Sequence, residues 1–337
     1  MAAPILDVLV TMPFGDALLD RMRAVSPRVR VTRADPSAAD YADTTVLYGN
    51  ALPADTARAP KLRWVQLHMA GVNTIAAHPL FAETRIALTT TSGVHAATVA
   101  EYALTALLAL AHRVPRMVEW QAKGGWPPDE RRWPLFVPSE VRGTTLGIIG
   151  YGSIGRELAR MAKSAFAMTI LACKRDPSQR VDTGYALPGT GDPDGRLPDG
   201  WYAPDTLTDM LARSDVVVLA APLTRETERM IGAPALAAMK PSAYFINVGR
   251  GGSVDEAALT HALRERRIAG AALDVFAQEP PPDGHPFYTL DNVLVSPHVS
   301  GFIPTYDDKC TDLFAENLRR FLAGEPLLNT VDRAKGY

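Results

Sequence analysis

The sequence predicts an α/β protein of two domains, each built around a parallel sheet. Three observations carry this reading. The chain has 337 residues, about twice what one hydrophobic core usually organises. Short apolar strands alternate with helical stretches over the first hundred residues and again after residue 145. Between an apolar run and a helical pattern lies Gly150-Tyr151-Gly152-Ser153-Ile154-Gly155, a Gly-x-Gly-x-x-Gly turn.

In chain order, Ile5–Val10 reads as a strand and Asp16–Val25 as a helix. Arg28–Val31, Thr45–Tyr48, Arg63–Leu67 and Arg85–Thr89 read as further strands. No glycine-rich loop occurs in this part, so it has a different task from the second half of the chain. A helical pattern from Ala97 to Lys123, interrupted near Pro115, is apolar nearly all round. Such a helix is buried, in its own protein or against a second subunit. Gly124-Gly125-Trp126-Pro127-Pro128 breaks it, and a polar segment runs on to Arg142. Six strands follow: Thr145–Ile149, Met168–Cys173, Asp215–Ala220, Ala243–Val248, Ile268–Asp274 and Asn292–Ser296. Six parallel strands in two βαβαβ halves is the arrangement of a dinucleotide domain. Asp176–Pro204, rich in Gly and Pro, reads as an exposed insertion near the adenosine end of the site. The last helix, Tyr306–Leu322, returns to the first domain.

The glycine turn explains the dinucleotide reading. Gly150 allows the tight turn, Gly152 lets a pyrophosphate approach the backbone, and Gly155 lets the helix pack closely on its strand. The helix that starts here, with Ile154, Leu158, Met161, Ala162 and Ala165 on its apolar face, points its free N–H groups at the phosphates. Composition excludes other classes. A formal net charge of −2 gives no reason to expect nucleic acid or an anionic membrane as partner. Cys173 and Cys310 make no disulfide framework and fit a reducing compartment, and no His/Cys cluster suggests a metal. Met1–Val10 lacks a basic leader and contains Asp7, and the apolar run Ala103–Ala111 is far short of the ~20 residues of a membrane span. A cytoplasmic protein is expected.

Three polar groups fall just past the ends of the fourth, fifth and sixth of those strands, the edge where open α/β sheets bind ligands. They are Arg250 in Asn247-Val248-Gly249-Arg250-Gly251, Glu279 after Asp274-Val275-Phe276, and His298 in Ser296-Pro297-His298. Each alone is ordinary; the three together suit reduction of a 2-oxo acid. A nicotinamide supplies the hydride. His298 supplies the proton, Glu279 orients the ring and favours imidazolium, and Arg250 holds the carboxylate and polarises the carbonyl. A methyl-transfer reading leaves Asp274, Glu279 and His298 without a role.

These motifs resemble the D-2-hydroxyacid dehydrogenase family, the D-isomer-specific enzymes that include glyoxylate/hydroxypyruvate reductases. Ala70-Gly71-Val72-Asn73, Val99-Ala100-Glu101, Ala221-Pro222-Leu223-Thr224 with Thr227, and Asn317-Leu318-Arg319-Arg320-Phe321 add to the likeness. The resemblance implies two Rossmann-like domains: a flavodoxin-like substrate domain (1–112 and 304–337) and a doubly wound dinucleotide-binding domain (113–303). It implies Arg250, Glu279 and His298 as the catalytic set, with backbone groups of Ala70, Gly71 and Val72 on the substrate carboxylate. Thr98, Val248, Arg250 and Asp274 fall near the nicotinamide, Ser153 and Ile154 at the pyrophosphate, and Pro222 and Thr227 along the cofactor. It also implies a homodimer with the apolar helix near the interface. His68 and Met69 depart from the small polar residues usual before the Ala-Gly-Val turn. A non-catalytic, corepressor-like dinucleotide sensor on the same fold is the alternative.

The coenzyme is read from the second strand of the glycine-turn domain. An NAD enzyme of this type carries an acid ~20 residues past the first glycine. Here that stretch is Ile170-Leu171-Ala172-Cys173-Lys174-Arg175, with Asp176 late, at 26 positions past Gly150. Lys174 and Arg175 suit a 2′-phosphate, so NADP is expected ahead of NAD.

Overall fold

The computed structural model describes residues 5–337, and Met1–Pro4 lie outside it. The chain opens with β1 (Leu6–Val10), α1 (Asp16–Arg23), β2 (Val29–Arg33), β3 (Val46–Tyr48), β4 (Trp64–Gln66), α2 (Pro79–Ala82) and β5 (Ala87–Thr89). Next come α3 (Ala96–Ala111), α4 (Val114–Ala122), α5 (Asp129–Phe136), β6 (Thr145–Ile149), α6 (Ser153–Phe166), β7 (Thr169–Cys173), β8 (Gly200–Tyr202), α7 (Leu207–Arg213) and β9 (Val216–Leu219). The remainder is α8 (Ala233–Ala238), β10 (Tyr244–Asn247), α9 (Glu256–Arg264), β11 (Gly270–Leu273), β12 (Val293–Val295) and α10 (Tyr306–Ala323).

Two compact units result. The first holds the described residues up to His95 together with Thr183–Leu187 and Ile303–Tyr337; the second holds Ala96–Asp182 and Pro188–Phe302. By its contacts the chain divides at His95/Ala96, because α3 packs on α6, β10 and β11 of the second unit.

The first unit is a five-stranded parallel sheet in the order β2-β1-β3-β4-β5, the flavodoxin-like arrangement. Both faces are covered, so its strands are apolar on both sides. Leu9, Leu47, Val65 and Leu88 pack on one face. Val8, Val10, Val46, Tyr48 and Trp64 pack on the other, under Leu19 and Met22 of α1 and Phe314 and Leu318 of α10.

The second unit is a seven-stranded parallel sheet, β12-β11-β10-β9-β6-β7-β8. Its order reverses between β6 and β9, which marks the crevice of a doubly wound fold. The seventh strand corrects the count of six. β8 lies within the segment read as an insertion, where Trp201 and Tyr202 pair with Ala172 and Cys173. Much of that segment is exposed, yet it is anchored at buried groups. Asp192 accepts from the Tyr151 hydroxyl at 2.8 Å, and the Arg156 guanidinium, 3 % exposed, donates to the carbonyls of Asp192 and Arg180. Its middle, Thr183–Leu187, belongs to the first unit, where the Tyr185 N–H donates to Asn329 Oδ1 at 2.9 Å.

The long apolar pattern forms two helices. It breaks at Arg113, whose φ of +58° is left-handed, and Pro115 sits in the first turn of α4, where a missing N–H costs nothing. Val99, Ala100, Ala103, Leu104, Leu107 and Leu110 of α3 are buried within the second unit's own core. The polar segment before Arg142 contains the helix α5. Large exposed apolar side chains sit here instead of on α3: Val114, Met117 and Val118 on α4, then Trp126 and Trp133. Among the described residues, no helix is long and apolar enough to cross a membrane.

Candidate active site

The seven-stranded sheet delivers its strand ends in one row. Register pairs Cys173 with Ile149, Ile149 with Leu219, Leu219 with Asn247, Asn247 with Leu273, and Leu273 with Val295. The next residues of these strands are Lys174, Gly150, Ala220, Val248, Asp274 and Ser296, so nearly every second-unit residue singled out from sequence follows this edge. Backbone hydrogen bonds continue the ladder one step further: Gly150 N–H to Cys173 O, Val248 N–H to Leu219 O, Asp274 N–H to Asn247 O and Ser296 N–H to Leu273 O. Because β8 is the third strand, Arg250, Glu279 and His298 follow the fifth, sixth and seventh strands of this sheet.

At the glycine turn, Gly150 has φ +96°, and a Cβ there would lie 2.6 Å from Ala221 N, so only glycine fits. Gly155 is buried against the Gly150 carbonyl. Gly152 faces open space, with nothing within 4 Å of its missing Cβ, and it is the N-cap of α6 with no side-chain cap. Open space above an uncapped 14-residue helix, with half-buried Ser153 and Ile154 in its first turn, fits a dinucleotide's pyrophosphate.

Arg250 is half-buried in an extended turn, and burial holds its guanidinium below its ordinary value, partly offset by Glu279. Asn247 clamps the turn: its Oδ1 accepts from Gly249 N–H at 3.0 Å and its Nδ2 donates to Arg250 O at 3.1 Å. A Cβ on Gly251 would come within 1.8 Å of the Phe276 carbonyl carbon, so this turn lies directly on the segment that leads to Glu279. Glu279 uses both oxygens. Oε1 accepts from Phe276 N–H at 3.0 Å, and Oε2 lies 2.7 Å from His298 Nδ1. His298 has φ +53°, a left-handed conformation unusual for a side chain of its size.

Asp274, fully buried, governs that segment. Its carboxylate accepts from the Ser296 hydroxyl and from Val299 and Ser300 N–H, the latter two at 3.0 Å, and its backbone carbonyl accepts His298 N–H at 2.9 Å. Elsewhere on the edge, Thr227 Oγ1 donates to Pro222 O at 2.7 Å and pins the loop after β9. Val248 is buried, and Thr98 is half-buried in the first turn of α3.

At the end of β7, Lys174 Nζ donates to Gln179 O, and burial lowers its pKa. Arg175 is exposed, 3.3 Å from Glu226. Asp176 is occupied locally, accepting from both the N–H and the hydroxyl of Ser178.

In the first unit, Ala70, Gly71 and Val72 form the turn after β4; Met69 O accepts from Thr91 N–H at 3.0 Å and Val72 O from Ile75 N–H at 3.1 Å. The unusual His68 is enclosed. Its Nδ1 lies 2.9 Å from the Tyr48 hydroxyl and its Nε2 3.2 Å from Asp307, and burial lowers its pKa.

Sequence reasoning missed Tyr102 of α3, whose hydroxyl is 2.5 Å from Ser296 Oγ. No local motif marks that pairing.

A doubly wound sheet with an uncapped glycine turn and a carboxylate–imidazole pair on one edge defines the class, a nicotinamide-dependent oxidoreductase. Comparison with known proteins narrows it. Residues 104–300 match the family model of the D-isomer specific 2-hydroxyacid dehydrogenase, NAD binding domain. The glyoxylate reductase of Korarchaeum cryptofilum is 38% identical over 82% of this chain and 77% of its own. A D-isomer specific 2-hydroxyacid dehydrogenase from Xanthobacter autotrophicus, solved with NADPH and MES, superposes with a TM-score of 0.79 at 30% identity, over 99% of this chain and 100% of that one. An NADPH-dependent glyoxylate/hydroxypyruvate reductase from Sinorhizobium meliloti, solved with NADP and sulfate, gives 0.77 at 25% identity, over 98% and 100%. The chain belongs to the D-isomer-specific 2-hydroxyacid dehydrogenase family. It is an NAD(P)-dependent oxidoreductase that moves a hydride between its nicotinamide cofactor and a 2-oxo or 2-hydroxy acid.

Proposed function

We propose that the protein reduces small 2-oxo acids of the glyoxylate and hydroxypyruvate kind, with NADPH preferred and His298 as proton donor. The observation that carries this is the 2.7 Å contact between Glu279 Oε2 and His298 Nδ1, which leaves Nε2 to deliver a proton. When bound, the reduced nicotinamide supplies the hydride to the carbonyl carbon. His298 gives its Nε2 proton to the carbonyl oxygen as that oxygen gains charge, and Glu279, bonded at Nδ1, fixes the orientation of the ring. Arg250 presents planar donors to the carboxylate and the carbonyl. Backbone groups of Ala70, Gly71 and Val72 take part in carboxylate binding, as in the family. Asp274, Thr98, Val248, Pro222 and Thr227 hold the nicotinamide half, and Gly150, Gly152, Ser153, Ile154 and Gly155 the pyrophosphate.

Lys174 and Arg175 pair with a 2′-phosphate, and the occupation of Asp176 by Ser178 supports that choice over ribose binding by an acid. The names of the relatives support both the acid class and the coenzyme.

The test is oxidation of NADPH and NADH by pure protein with glyoxylate, hydroxypyruvate, pyruvate, phenylpyruvate and 2-oxoisocaproate. His298→Ala is expected to lower kcat by about 10²–10⁴-fold on the best substrate. A variant that keeps near wild-type kcat ends the role given to His298.

The working form is a cytoplasmic homodimer. The exposed apolar groups of α4 with Trp126 and Trp133, respectively 81% and 76% exposed, support burial against a second copy. Light scattering at micromolar concentration is expected to give twice the 36.4 kDa chain mass, and a monomer mass would refute the dimer.

A further inference from the structure

Helix α3 is tied to the His298 segment by a short chain of hydroxyls. Tyr102 stands one helical turn after Thr98, and its hydroxyl lies 2.5 Å from Ser296 Oγ. Ser296 in turn donates to Asp274 Oδ1. The direction of the hydrogens follows from valence. A carboxylate only accepts, so the single Ser296 hydrogen goes to Asp274. Ser296 must then accept from Tyr102, which is the donor. Burial pushes the Tyr102 phenol above its ordinary pKa, so it keeps its hydrogen through the neutral range.

The chain ends on the group that shapes the proton donor. Asp274 takes His298 N–H on its backbone carbonyl and Val299 and Ser300 N–H on its carboxylate. His298 itself is held at φ +53°, a conformation that persists only where neighbouring groups fix it. A donor placed on Ser296 polarises its O–H and strengthens the bond to Asp274, because hydrogen bonds in series reinforce one another at low dielectric. Tyr102 is half-buried, and among the described residues its hydroxyl has this one partner. Space-filling alone would be met equally well by phenylalanine.

We propose that Tyr102 is a positioning residue for His298, acting through Ser296 and Asp274 without touching the substrate. The proposal rests on the reading of His298 as the proton donor. Tyr102→Phe keeps the ring and removes only the first donor of the chain. It is expected to lower kcat about ten-fold, the effect of losing one hydrogen bond, with KM for the 2-oxo acid within about two-fold of wild type. Ser296→Ala is expected to lower kcat at least as much. The double variant is expected to be no worse than Ser296→Ala, since both changes cut one chain. With ¹⁵N-histidine protein, the His298 imidazole resonance, assigned by its loss in His298→Ala, is expected to shift in Tyr102→Phe.

Unchanged kcat together with an unchanged His298 resonance in Tyr102→Phe overturns the proposal. So does a raised KM at constant kcat, which would make Tyr102 a binding residue, and so do additive losses in the double variant. The underlying reading fails separately, by a fully active His298→Ala enzyme. In that case the resonance shift in Tyr102→Phe still reports whether the chain exists.

Discussion

The carboxyl edge of the seven-stranded sheet has two ends of different construction. At the β10–β11–β12 end, nearly every polar group is committed. Asn247 closes the Arg250 turn, Glu279 divides its oxygens between Phe276 and His298, and Asp274 gathers the segment that carries His298. At the β7 end the groups are long cations on flexible stems, Lys174 and Arg175, held by a carbonyl and an exposed carboxylate. On the function proposed above, hydride and proton transfer, which need geometry fixed to a fraction of an ångström, fall at the committed end. On the same proposal, choice between a ribose hydroxyl and a phosphate, which needs charge within reach, falls at the other end, where little geometry is fixed.

This contrast is open to attack from both sides. The sharpest test is Arg250→Lys, which keeps the charge and loses the planar fork. kcat/KM for the 2-oxo acid is expected to fall by about 10²-fold, as when a fixed donor to a developing oxyanion is removed. Steady-state kinetics showing an unchanged ratio would mean that charge alone suffices there too, and the contrast would collapse. A smaller effect is expected at the other end. Arg175→Ala should raise KM for NADPH about ten-fold, the loss of one charged contact, and leave NADH nearly untouched. Equal changes with both coenzymes would remove Arg175 from phosphate recognition.

The smallest effect concerns pH. Burial lowers the Lys174 pKa, so on raising the pH its positive charge disappears before that of a free lysine. The preference for NADPH over NADH is therefore expected to narrow as pH rises from about 7 toward about 10, the usual lysine range, with Arg175 still charged. A ratio that stays flat over this range in wild type, measured against a Lys174→Arg control, would rule Lys174 out as a phosphate partner.

Much of this was legible in the chain because both sheets are buried on both faces. Runs such as Leu146–Ile149 and Val216–Leu219 then stand out as continuous apolar segments bounded by turns. The Gly150 turn was visible for the same reason, since it sits between two such patterns. What escaped had weaker local signals. β8 is only Gly200-Trp201-Tyr202, flanked by glycine and proline, and it is a strand because β7 offers it an edge. α5 has no buried residues and a proline inside it, so no apolar stripe marks it. The surplus apolar surface assigned to α3 is consumed by its own unit, which composition could not reveal. Asp192 reads as one more loop acid until Tyr151 and Arg156 are folded onto it. Tyr102 and Ser296 are 194 residues apart, and a hydroxyl pair at that separation has no pattern to find.

The interleaving of the two compact units has a consequence for how the chain is made. The second unit's last residue is Phe302, whereas the first unit depends on Ile303–Tyr337 for the helix whose Phe314 and Leu318 cover one face of its sheet. Synthesis runs from the N-terminus, so the part begun first is the part finished last. Until α10 leaves the ribosome, Val8, Val10, Val46 and Trp64 have no complete cover. The second unit lies within one stretch, 96–302, whereas the first cannot be cut out as a single uninterrupted fragment, and its sheet waits until the second unit has been made before its cover arrives.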